Sequence, residues 1–458
     1  MKKINRIISV VFLIMLCAVS GNAALPDNTP ANIKKYKKIC RDSIYTIMKG
    51  MYREPGGSLK YPFVAPGSAF YLNDLWDWDS WLSNIALRQI LLEHGSKEDK
   101  AEAVAYEQGC VLNALSYGGM DGYIPVIVSR TSPSRDEILR HRNIYAINMH
   151  KPCLAQHAAF IIKTQNGDAE WLREQYNILA AFVAKYMNFH RNKETGLLYW
   201  ENDEMIGVDN DPSTFYRPAR SSGSIFLNAL MYKELLAMKY ISECLGMNEN
   251  GNDYAKQAEE LADAIRKFCW DPRDGFFYSV DFNLLPVEIP NHSGFTLHQG
   301  APRDYPCLIQ RFSVWSGFLA MWSGIATPDM AKQMVERNYR DKNLFNASAG
   351  VYTLSPLEKM YNVKASGNPS SWLGPIWLCA NYFVWRALVD YGYDDDAREL
   401  AEKTILLLGR DFERFGQLHE YYSPVSGEPI LNRGFQNWNL LVMNMMAWLD
   451  GKETVKEF

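Results

Sequence analysis

The chain has 458 residues and a formal net charge of -4, with acidic and basic residues mixed along its length. It therefore lacks the basic field that nucleic acid or an anionic membrane surface would attract. Aromatic residues make up 13% of the sequence, including 13 Trp and 26 Tyr. This content fits a large core or a carbohydrate site, where flat rings stack on sugar faces. Composition alone leaves both readings open.

The N-terminus has the pattern of a secretory signal peptide. A positively charged start precedes an apolar run over 7–19 and small residues over 20–24, with a cleavage site expected after Ala23. The run is shorter than the roughly 20 apolar residues of a membrane span, and no later segment reaches that length. We expect a periplasmic mature protein, while Cys17 leaves a lipid-anchored form as the alternative.

Helical periodicity dominates the rest of the chain, with apolar residues at three- and four-residue steps. Helices are predicted over 81–93, 152–164, 169–190, 221–245, 253–268, 314–325, 330–337, 376–390, 395–408 and 438–449. No Pro-, Gly- or Ser-rich linker interrupts the series. The predicted organisation is a signal peptide over 1–23, an N-terminal extension over 24–70 that packs on a barrel, and one all-α domain over 71–458.

Two all-α architectures fit this series, an α-solenoid and a closed toroid of paired inner and outer helices. A solenoid requires a repeat of fixed period, and the sequence shows none. The unusual residues instead lie between the helices, and the stretches that favour strands are few and short, such as 122–128 and 276–280. This placement favours a toroid whose loops build one site.

The cysteines give no metal or redox motif. Seven remain after the expected cleavage, and they are scattered without the paired spacing of a zinc site. Most are expected to be small buried hydrophobic residues, and one disulfide with unassigned partners remains open. No metal and no cofactor are predicted.

The first unusual segment, 75–81, contains Trp78 and Asp79 among three Trp and two Asp before a helix. Core tryptophans with Asp79 or Ser80 as the N-cap would explain the pattern structurally. An aromatic wall with a carboxylate that accepts sugar hydroxyls would explain it functionally. Both readings stay open.

The second segment, 148–157, enters a helix through Pro152. Lys151 and Gln156 are predicted to contact substrate. His157 is assigned a structural role, because no second His or Cys offers metal-ligand spacing.

The third segment, 200–217, concentrates acidic residues in one irregular loop: Glu201, Asp203, Glu204, Asp209 and Asp211. A solvated acidic turn or a calcium site would also have this composition, although the spacing does not match an EF-hand. The functional interpretation is that one carboxylate is a catalytic acid whose pKa is raised by burial or by a neighbouring charge.

The fourth segment, 368–377, is a Gly-Pro turn into a helix, flanked by Trp372 and Trp377. Packing is a serious alternative to substrate contact for Trp377. The segment is nevertheless rich in the rings that a sugar site uses.

The fifth segment, 417–439, places Glu420 in an aromatic, turn-rich loop after a long helix. That is an unusual position for a merely solvated charge. It suits a base that holds one water molecule beside a bound sugar.

Together these segments resemble the (α/α)6-barrel glycoside hydrolases of family 63 and their mannosylglycerate-hydrolase-like relatives, which are related to trehalases. The likeness runs from about Asn73 to Leu449. Each motif is weak alone, but five occur in the family's order: Trp78-Asp79-Ser80, Gly207-Val208-Asp209-Asn210, Trp372-Leu373-Gly374-Pro375-Ile376-Trp377, Glu420-Tyr421 with Pro424 and Gly427, and Gly434-Phe435 with Trp438-Asn439.

The resemblance implies an all-α (α/α)6 toroid and an inverting, exo-acting α-glycosidase that releases glucose or mannose from a small α-glycoside or oligosaccharide without a cofactor. It assigns the general acid to Asp209 and the general base to Glu420, and Asp211 stays open as the alternative acid. The substrate-binding residues expected are Trp78, Asp79, Lys151, Gln156, Glu201, Arg217, Trp372, Gly374, Trp377, Tyr421 and Trp438.

The chain departs from the family at Leu373, where many members have Arg, and after Asp211, which leaves the role of Arg217 open. Another carbohydrate-active enzyme on the same barrel is one alternative, and it would need a Tyr/His pair for a lyase or a phosphate cluster for a phosphorylase. A non-catalytic sugar-binding protein is the other, favoured if Asp209 or Glu420 pointed away from a common pocket. The oligomeric state is not set by the sequence.

Overall fold

The computed structural model describes residues 25–140, 148–284, 305–364 and 370–458. The predicted signal peptide over 1–23 therefore lies outside the described residues. Among the helices of these ranges, none combines the length and the apolar character needed to span a membrane.

The described residues contain fourteen α-helices. In chain order they are α1 Pro30–Ile47, α2 Asp77–His94, α3 Lys97–Ser116, α4 Arg135–Arg140, α5 Leu154–Thr164, α6 Tyr176–Phe189, α7 Asp203–Ile206, α8 Ile225–Cys244, α9 Asn248–Phe268, α10 Leu319–Trp322, α11 Pro328–Gln333, α12 Leu378–Asp390, α13 Asp394–Phe415 and α14 Val442–Leu449. Short 3-10 turns occur at Met48–Met51, Glu170–Gln175, Trp315–Phe318 and Asn437–Leu441, and a π-helical segment, Met334–Tyr339, continues α11.

The strands are two or three residues long. They are β1 Tyr52–Arg53, β2 Phe63–Val64, β3 Asp74–Trp76, β4 Ile127–Ser129, β5 Ser222–Gly223, β6 Trp270–Asp271, β7 Phe276–Phe277, β8 Val280–Asp281, β9 Leu308–Ile309, β10 Asn346–Ala347 and β11 Gly350–Val351. All the pairings are antiparallel. The strands form two-stranded sheets except for one three-stranded sheet with the order β5-β8-β9. In register, Trp76 of β3 faces Ile127 of β4, which anchors the chain just before α2.

Six helical segments within the described ranges form a closed inner ring: α2, α5, α8, α10 with its preceding 3-10 turn, α12, and α14 with its preceding 3-10 turn. Each contacts the next around the ring, and the last contacts α2. Their side chains are buried nearly all round, and in α12 every residue from Leu378 to Leu388 is buried. A helix that is buried on all sides must lie inside the molecule, so this ring is the core.

The outer layer around the ring consists of α1, α3, α6, α9, α11 with its π-helical continuation, and α13. They are amphipathic: α9 buries Ala258, Leu261 and Ile265 on one face, and it packs along α8. Six inner and six outer helices among the described residues make an (α/α)6 barrel. The prediction of an all-α toroid with short β segments in its loops is confirmed.

Two outer helices differ from the prediction, which contained neither α1 nor α3. Helix α1 lies in the segment assigned to an N-terminal extension, but it packs on α13 as part of the outer layer through Tyr36, Cys40 and Ile44. Helix α3 buries polar Glu107 and Asn113 among its apolar residues. Buried polar positions of this kind break the apolar periodicity on which the sequence prediction depends.

The loops that enter the inner helices contact one another at one end of the barrel. The backbone of Ile376, before α12, exchanges two hydrogen bonds with Tyr422, at 2.8 and 3.0 Å. The backbone N–H of Lys151, before α5, donates to the Asp77 carboxylate at the start of α2, at 2.9 Å. Segments that are distant in sequence thus form one rigid rim around the centre of the ring.

The contact between α1 and α13 can be tested at Gly409. A Cβ there would lie 2.5 Å from the Cβ of Tyr36, so Gly409→Ala should destabilise the protein by about 1–3 kcal/mol through overpacking. Gly251 of α9 is the matched control, because its nearest neighbours are 3.5 Å away. Gly251→Ala should be neutral or stabilising by up to about 1 kcal/mol. Equal denaturation midpoints for the two variants would contradict this packing.

Candidate active site

The start of α2 is organised by a buried ion pair between Asp77 and Lys151. The Asp77 carboxylate accepts the backbone N–H of Trp78 at 2.7 Å, and the Lys151 ammonium donates to both of its oxygens, at 3.1 and 3.0 Å. The ammonium also lies 5.1 Å from the centre of the Trp78 ring. Lys151 is 1% exposed, so its ammonium group is buried against Asp77 and stabilises the first turn of α2. The expected substrate contact of Lys151 is corrected to this structural role.

Asp79 lies two residues into the same helix and is buried at the ring's centre. Asn437 donates its side-chain amide to the Asp79 carboxylate, and the Asn437 carbonyl accepts the Ser83 hydroxyl at 2.9 Å. Burial raises the pKa of Asp79 to about 8, and the negative charge of Asp77 adds to the rise. The helix begins at Asp77 with Trp76 as its N-cap, so Asp79 is not the N-cap. The charge of Glu420 also raises the pKa of Asp79, so these two carboxyls lie near each other.

The aromatic residues predicted to contact sugar form one continuous wall. Trp372 and Trp377 stack with ring centres 4.1 Å apart and 6° between planes, and Tyr421 stacks on the other side of Trp377 at 4.8 Å. Trp78 meets Trp438 at 5.2 Å and Trp372 at 5.9 Å. These rings come from segments that are distant in sequence, and the fold brings them into contact. The Trp438 indole N–H is buried and has no acceptor among the described residues.

Glu420 lies in the loop after α13, where a short backbone ladder fixes it. Its N–H donates to the carbonyl of Leu431 at 2.9 Å. The Asn432 side-chain amide donates to the Glu420 carboxylate and to the Tyr71 hydroxyl, the latter at 3.0 Å, and the Tyr71 hydroxyl also bonds the carboxylate. Burial raises the pKa of Glu420 to about 7 against the lowering effect of these hydrogen bonds, and the charge of Asp209 raises it further.

A second layer of contacts holds the Glu420 loop from behind. Asp411, on the buried face of α13, accepts the Tyr422 hydroxyl at 2.8 Å and contacts the His419 ring nitrogen Nδ1 at 3.0 Å. The Tyr422 hydroxyl in turn accepts the backbone N–H of His419 at 3.0 Å, and Asn439 donates to the His419 carbonyl at 2.7 Å. The residues on both sides of Glu420 are therefore fixed.

The acidic loop distinguishes Asp209 from its neighbours. Asp211 is buried, and its carboxylate accepts the Ser213 hydroxyl at 2.6 Å and the Ser213 N–H at 2.8 Å. Asp203 accepts the Thr214 hydroxyl at 2.6 Å, and burial raises its pKa to about 6. Both carboxylates brace the loop, whereas Asp209 is only half-buried.

Asn210 connects this loop to the aromatic wall. Its backbone N–H donates to Asp203 at 3.3 Å, and its side-chain carbonyl accepts the Trp372 N–H at 3.0 Å. Asn210 adopts a positive φ of 59°, a conformation that Asn tolerates better than most residues. The residue next to Asp209 is therefore fixed against the ring that lines the site.

The electrostatic effects of three carboxylates on Tyr71 indicate that these carboxylates lie close together. Burial is the main cause that raises the pKa of the Tyr71 phenol, and the charges of Glu420, Asp79 and Asp209 raise it in that order. Charges act on a neighbour in this way only at short range. Asp209 and Glu420, which lie on different loops, therefore face a common region beside Tyr71.

Three other predicted contacts lie elsewhere. The Gln156 amide donates to the carbonyls of Pro152, at 2.8 Å, and Leu230, at 3.1 Å, and Gln156 is fully buried between α5 and α8. Glu201 pairs with Arg220 at 2.8 Å, and Arg217 pairs with Asp281. The expected substrate roles of Gln156 and Glu201 are corrected to structural ones, because the Gln156 N–H groups and the Glu201 carboxylate are engaged there.

Gly374 acts through its backbone. Its φ is 125°, and a Cβ would lie 2.2 Å from the Tyr361 ring. Its N–H donates to the Thr353 hydroxyl at 3.1 Å. Glycine is therefore required to place Trp372 and Trp377 on either side of the turn.

The structural roles given to His157 and to the cysteines are confirmed. His157 is buried, its Nε2 lies 2.8 Å from the Asn84 amide, and burial lowers its pKa to about 3. The seven described cysteines are unpaired, and five of them are buried. Within the described ranges, no three His, Cys, Asp or Glu side chains are grouped as metal ligands would be.

Sequence reasoning gave no role to several residues that shape the site: Tyr71, Asp77, Asp203, Asn210, Asp411, Asn432 and Asn437. Most are polar residues whose partners are distant in sequence. A usable signal existed for the five residues that lie inside the unusual segments: Asp77, Asp203, Asn210, Asn432 and Asn437. The other roles become visible only once the loops are brought together.

The family model described as "Mannosylglycerate hydrolase MGH1-like glycoside hydrolase domain" matches residues 71–438, most of the chain. The chain belongs to this family. The MGH1-like glycoside hydrolase is 25% identical to mannosylglycerate hydrolase MGH1 of Selaginella moellendorffii, over 90% of this chain and 84% of that protein. It is 26% identical to the cytosolic neutral trehalase of Kluyveromyces lactis, over 56% of this chain and 32% of that protein. The chain thus spans about a third of that trehalase's length.

Solved structures of this type share the fold. The GH63 mannosylglycerate hydrolase of Thermus thermophilus in complex with glucose superposes on the MGH1-like chain with a TM-score of 0.63 and 18% identity, over 88% of this chain and 98% of that one. The neutral trehalase of Saccharomyces cerevisiae gives a TM-score of 0.58 at 17% identity, over 85% and 74%. At these identities the likeness establishes the (α/α)6 barrel alone.

The buried Glu420 carboxyl should make stability depend on pH in a defined direction. Its folded pKa of about 7 exceeds the ordinary value of 4.5, so its favourable contribution is complete below about pH 4.5 and is lost as pH rises through 7. Glu420→Gln cannot ionise at this position. Its Tm relative to that of the wild type should therefore increase by a few degrees as pH rises.

The measurement is the Tm difference between Glu420→Gln and wild type at about pH 4.5 and pH 8. Glu259→Gln, on the exposed face of α9, is the control and should show no such trend. A Tm difference that stays constant or shrinks with rising pH would contradict the burial of a carboxyl at Glu420.

Proposed function

We propose that the protein is an inverting, exo-acting α-glycoside hydrolase that releases glucose or mannose. The observation that carries the proposal is that Asp209 and Glu420, which lie on separate loops, both act on the phenol of Tyr71. Their chain neighbours Asn210 and Tyr421 also contact the stacked rings' segment, at Trp372 and Trp377. Glycosidases require such a pair of carboxyls on either side of the scissile bond.

Asp209 acts as the general acid in this proposal. Its carboxyl gives a proton to the glycosidic oxygen as the bond to the anomeric carbon breaks, and the leaving group departs as an alcohol. The supporting observation is that Asp211 and Asp203 are engaged by Ser213 and Thr214. Of these three carboxylates in the loop, Asp209 is the one not used to brace it.

Glu420 acts as the general base. It removes a proton from a water molecule that attacks the opposite face of the sugar, and the product anomer is inverted. An inverting pair stands roughly 6.5–9.5 Å apart so that this water fits. The Asn432 and Tyr71 hydrogen bonds favour the ionised form that a base needs, while burial keeps its pKa close to neutrality, where a general base is most effective.

The sugar ring would lie against the wall of Trp78, Trp372, Trp377, Tyr421 and Trp438. Asp79 would accept sugar hydroxyls, and a hydroxyl would also supply the acceptor that the buried Trp438 N–H needs. Below the wall, Trp315 continues the packing at 6.2 Å from Trp372.

The choice of glucose or mannose follows from the relatives. They include proteins named as trehalases, an α-glucosidase of Arabidopsis thaliana and mannosylglycerate hydrolases. Secretion to the periplasm remains a proposal that depends on the signal pattern of residues 1–23.

The test is a panel of neutral α-glucosides and α-mannosides with wild type and single variants. Asp209→Asn and Glu420→Gln should each lower kcat roughly a hundred- to ten-thousandfold, the contribution of a positioned acid or base, without lowering Tm. Glu204→Gln changes an exposed carboxyl in the same loop and should keep near-normal turnover. Near-normal activity of Asp209→Asn or Glu420→Gln would remove that residue from the mechanism.

A further inference from the structure

A groove lies beside the candidate active site, over the segment that follows Asp209. Its volume of about 610 Å³ falls within the ~300–1,000 Å³ of small-molecule sites. Its lining includes Phe215, Tyr216, Arg217, Lys359, Tyr361 and Leu373.

The groove is continuous with the aromatic wall of the site. Leu373, in its lining, directly follows Trp372, whose backbone N–H is held by Asn210 at 3.0 Å. Pro212 also lines it, three residues after the proposed acid Asp209. The groove therefore begins within a few residues of both the aromatic wall and the proposed acid.

Tyr216 is the most unusual residue of the groove. It is 91% exposed, and its φ of 57° lies in the left-handed region, which costs a residue with a Cβ roughly 1–2 kcal/mol. The turn is held by Asp211, whose carbonyl accepts the Phe215 N–H at 2.7 Å. An exposed ring in a strained, braced conformation is a feature that functional sites retain.

The charges of the groove favour a neutral ligand. Arg217 is paired with Asp281, and Leu373 contributes an apolar side chain to the lining. Lys359 is exposed at the edge. Aromatic and aliphatic groups therefore dominate the surface that a ligand would contact, as in sites where sugar rings stack.

We propose that this groove is an outer subsite that binds a second sugar unit on the leaving-group side, so that neutral α-linked oligosaccharides of three or more units are the preferred substrates. The inference rests on the proposed function. The acid protonates the glycosidic oxygen, so the leaving group extends past Asp209 towards Pro212, and the next sugar reaches Tyr216.

The test compares kcat/KM for a trisaccharide and a disaccharide of one linkage, with α-linked gluco- and manno-oligosaccharides as probes. Tyr216→Ala should lower the trisaccharide-to-disaccharide ratio roughly three- to tenfold, the worth of one aromatic contact, mainly through KM. Tyr216→Phe should retain most of the wild-type trisaccharide-to-disaccharide ratio. Phe189→Ala, which removes an exposed ring outside the groove lining, should leave the ratio unchanged.

Binding of the same trisaccharide to Asp209→Asn by calorimetry gives a readout without turnover, and Tyr216→Ala added to it should weaken that binding to the same extent. Hydrolysis with an unchanged ratio in Tyr216→Ala overturns the subsite alone. A larger loss with Lys359→Ala on a glycoside with an anionic leaving group also overturns it, in favour of an anion site. If no probe is hydrolysed and none is bound, the proposed function and this inference are both overturned.

Discussion

Ionisable carboxyls are buried among aromatic rings at one end of a closed ring of helices, and the rest of the site is arranged around that fact. Water is largely excluded there, so the charged forms of Glu420 and Asp79 are disfavoured and their pKa values rise to about 7 and about 8. The amides of Asn432 and Asn437 each donate to one of these carboxylates. A bound sugar would bring further hydroxyl donors to the same groups. These hydrogen bonds would offset the unfavourable burial of the carboxylates, so the cost accepted on folding would favour binding.

Such groups keep their positions only if the loops that carry them are rigid. The loops are joined across the rim by polar contacts from distant parts of the chain: Asp77 with Lys151, Asn210 with Trp372, and Asp411 with Tyr422. Each contact acts on the backbone beside a candidate functional group rather than on substrate. The inner helices, buried on all sides, provide the fixed base for these loops.

The sequence predicted the architecture well because the inner helices are apolar and the outer ones are amphipathic. It failed for α3, where Glu107 and Asn113 are buried, and for α1, which was assigned to an extension. The aromatic wall was predictable because its rings cluster in short segments.

Individual polar contacts were harder to predict, because a side chain's role depends on the partner it finds in three dimensions. Lys151 and Gln156 have side chains that could bind sugars. In the folded protein they instead donate hydrogen bonds to Asp77 and to the carbonyl of Leu230, respectively. Conversely, Tyr71 and Asn432 lie 349 and 12 residues from Glu420, and only the fold brings them to it. The assignment of Asp209 over Asp211 gains support from the contact between Asp211 and Ser213.

The most direct test of the acid and base pair is the configuration of the first sugar released. Proton NMR of wild-type protein acting on an α-glycoside from the panel, recorded before mutarotation, should show the β-anomer of glucose or mannose appearing first, because Glu420 directs water to the face opposite the leaving group. Initial release of the α-anomer would contradict the account, since it would require a covalent intermediate and a carboxyl placed as a nucleophile.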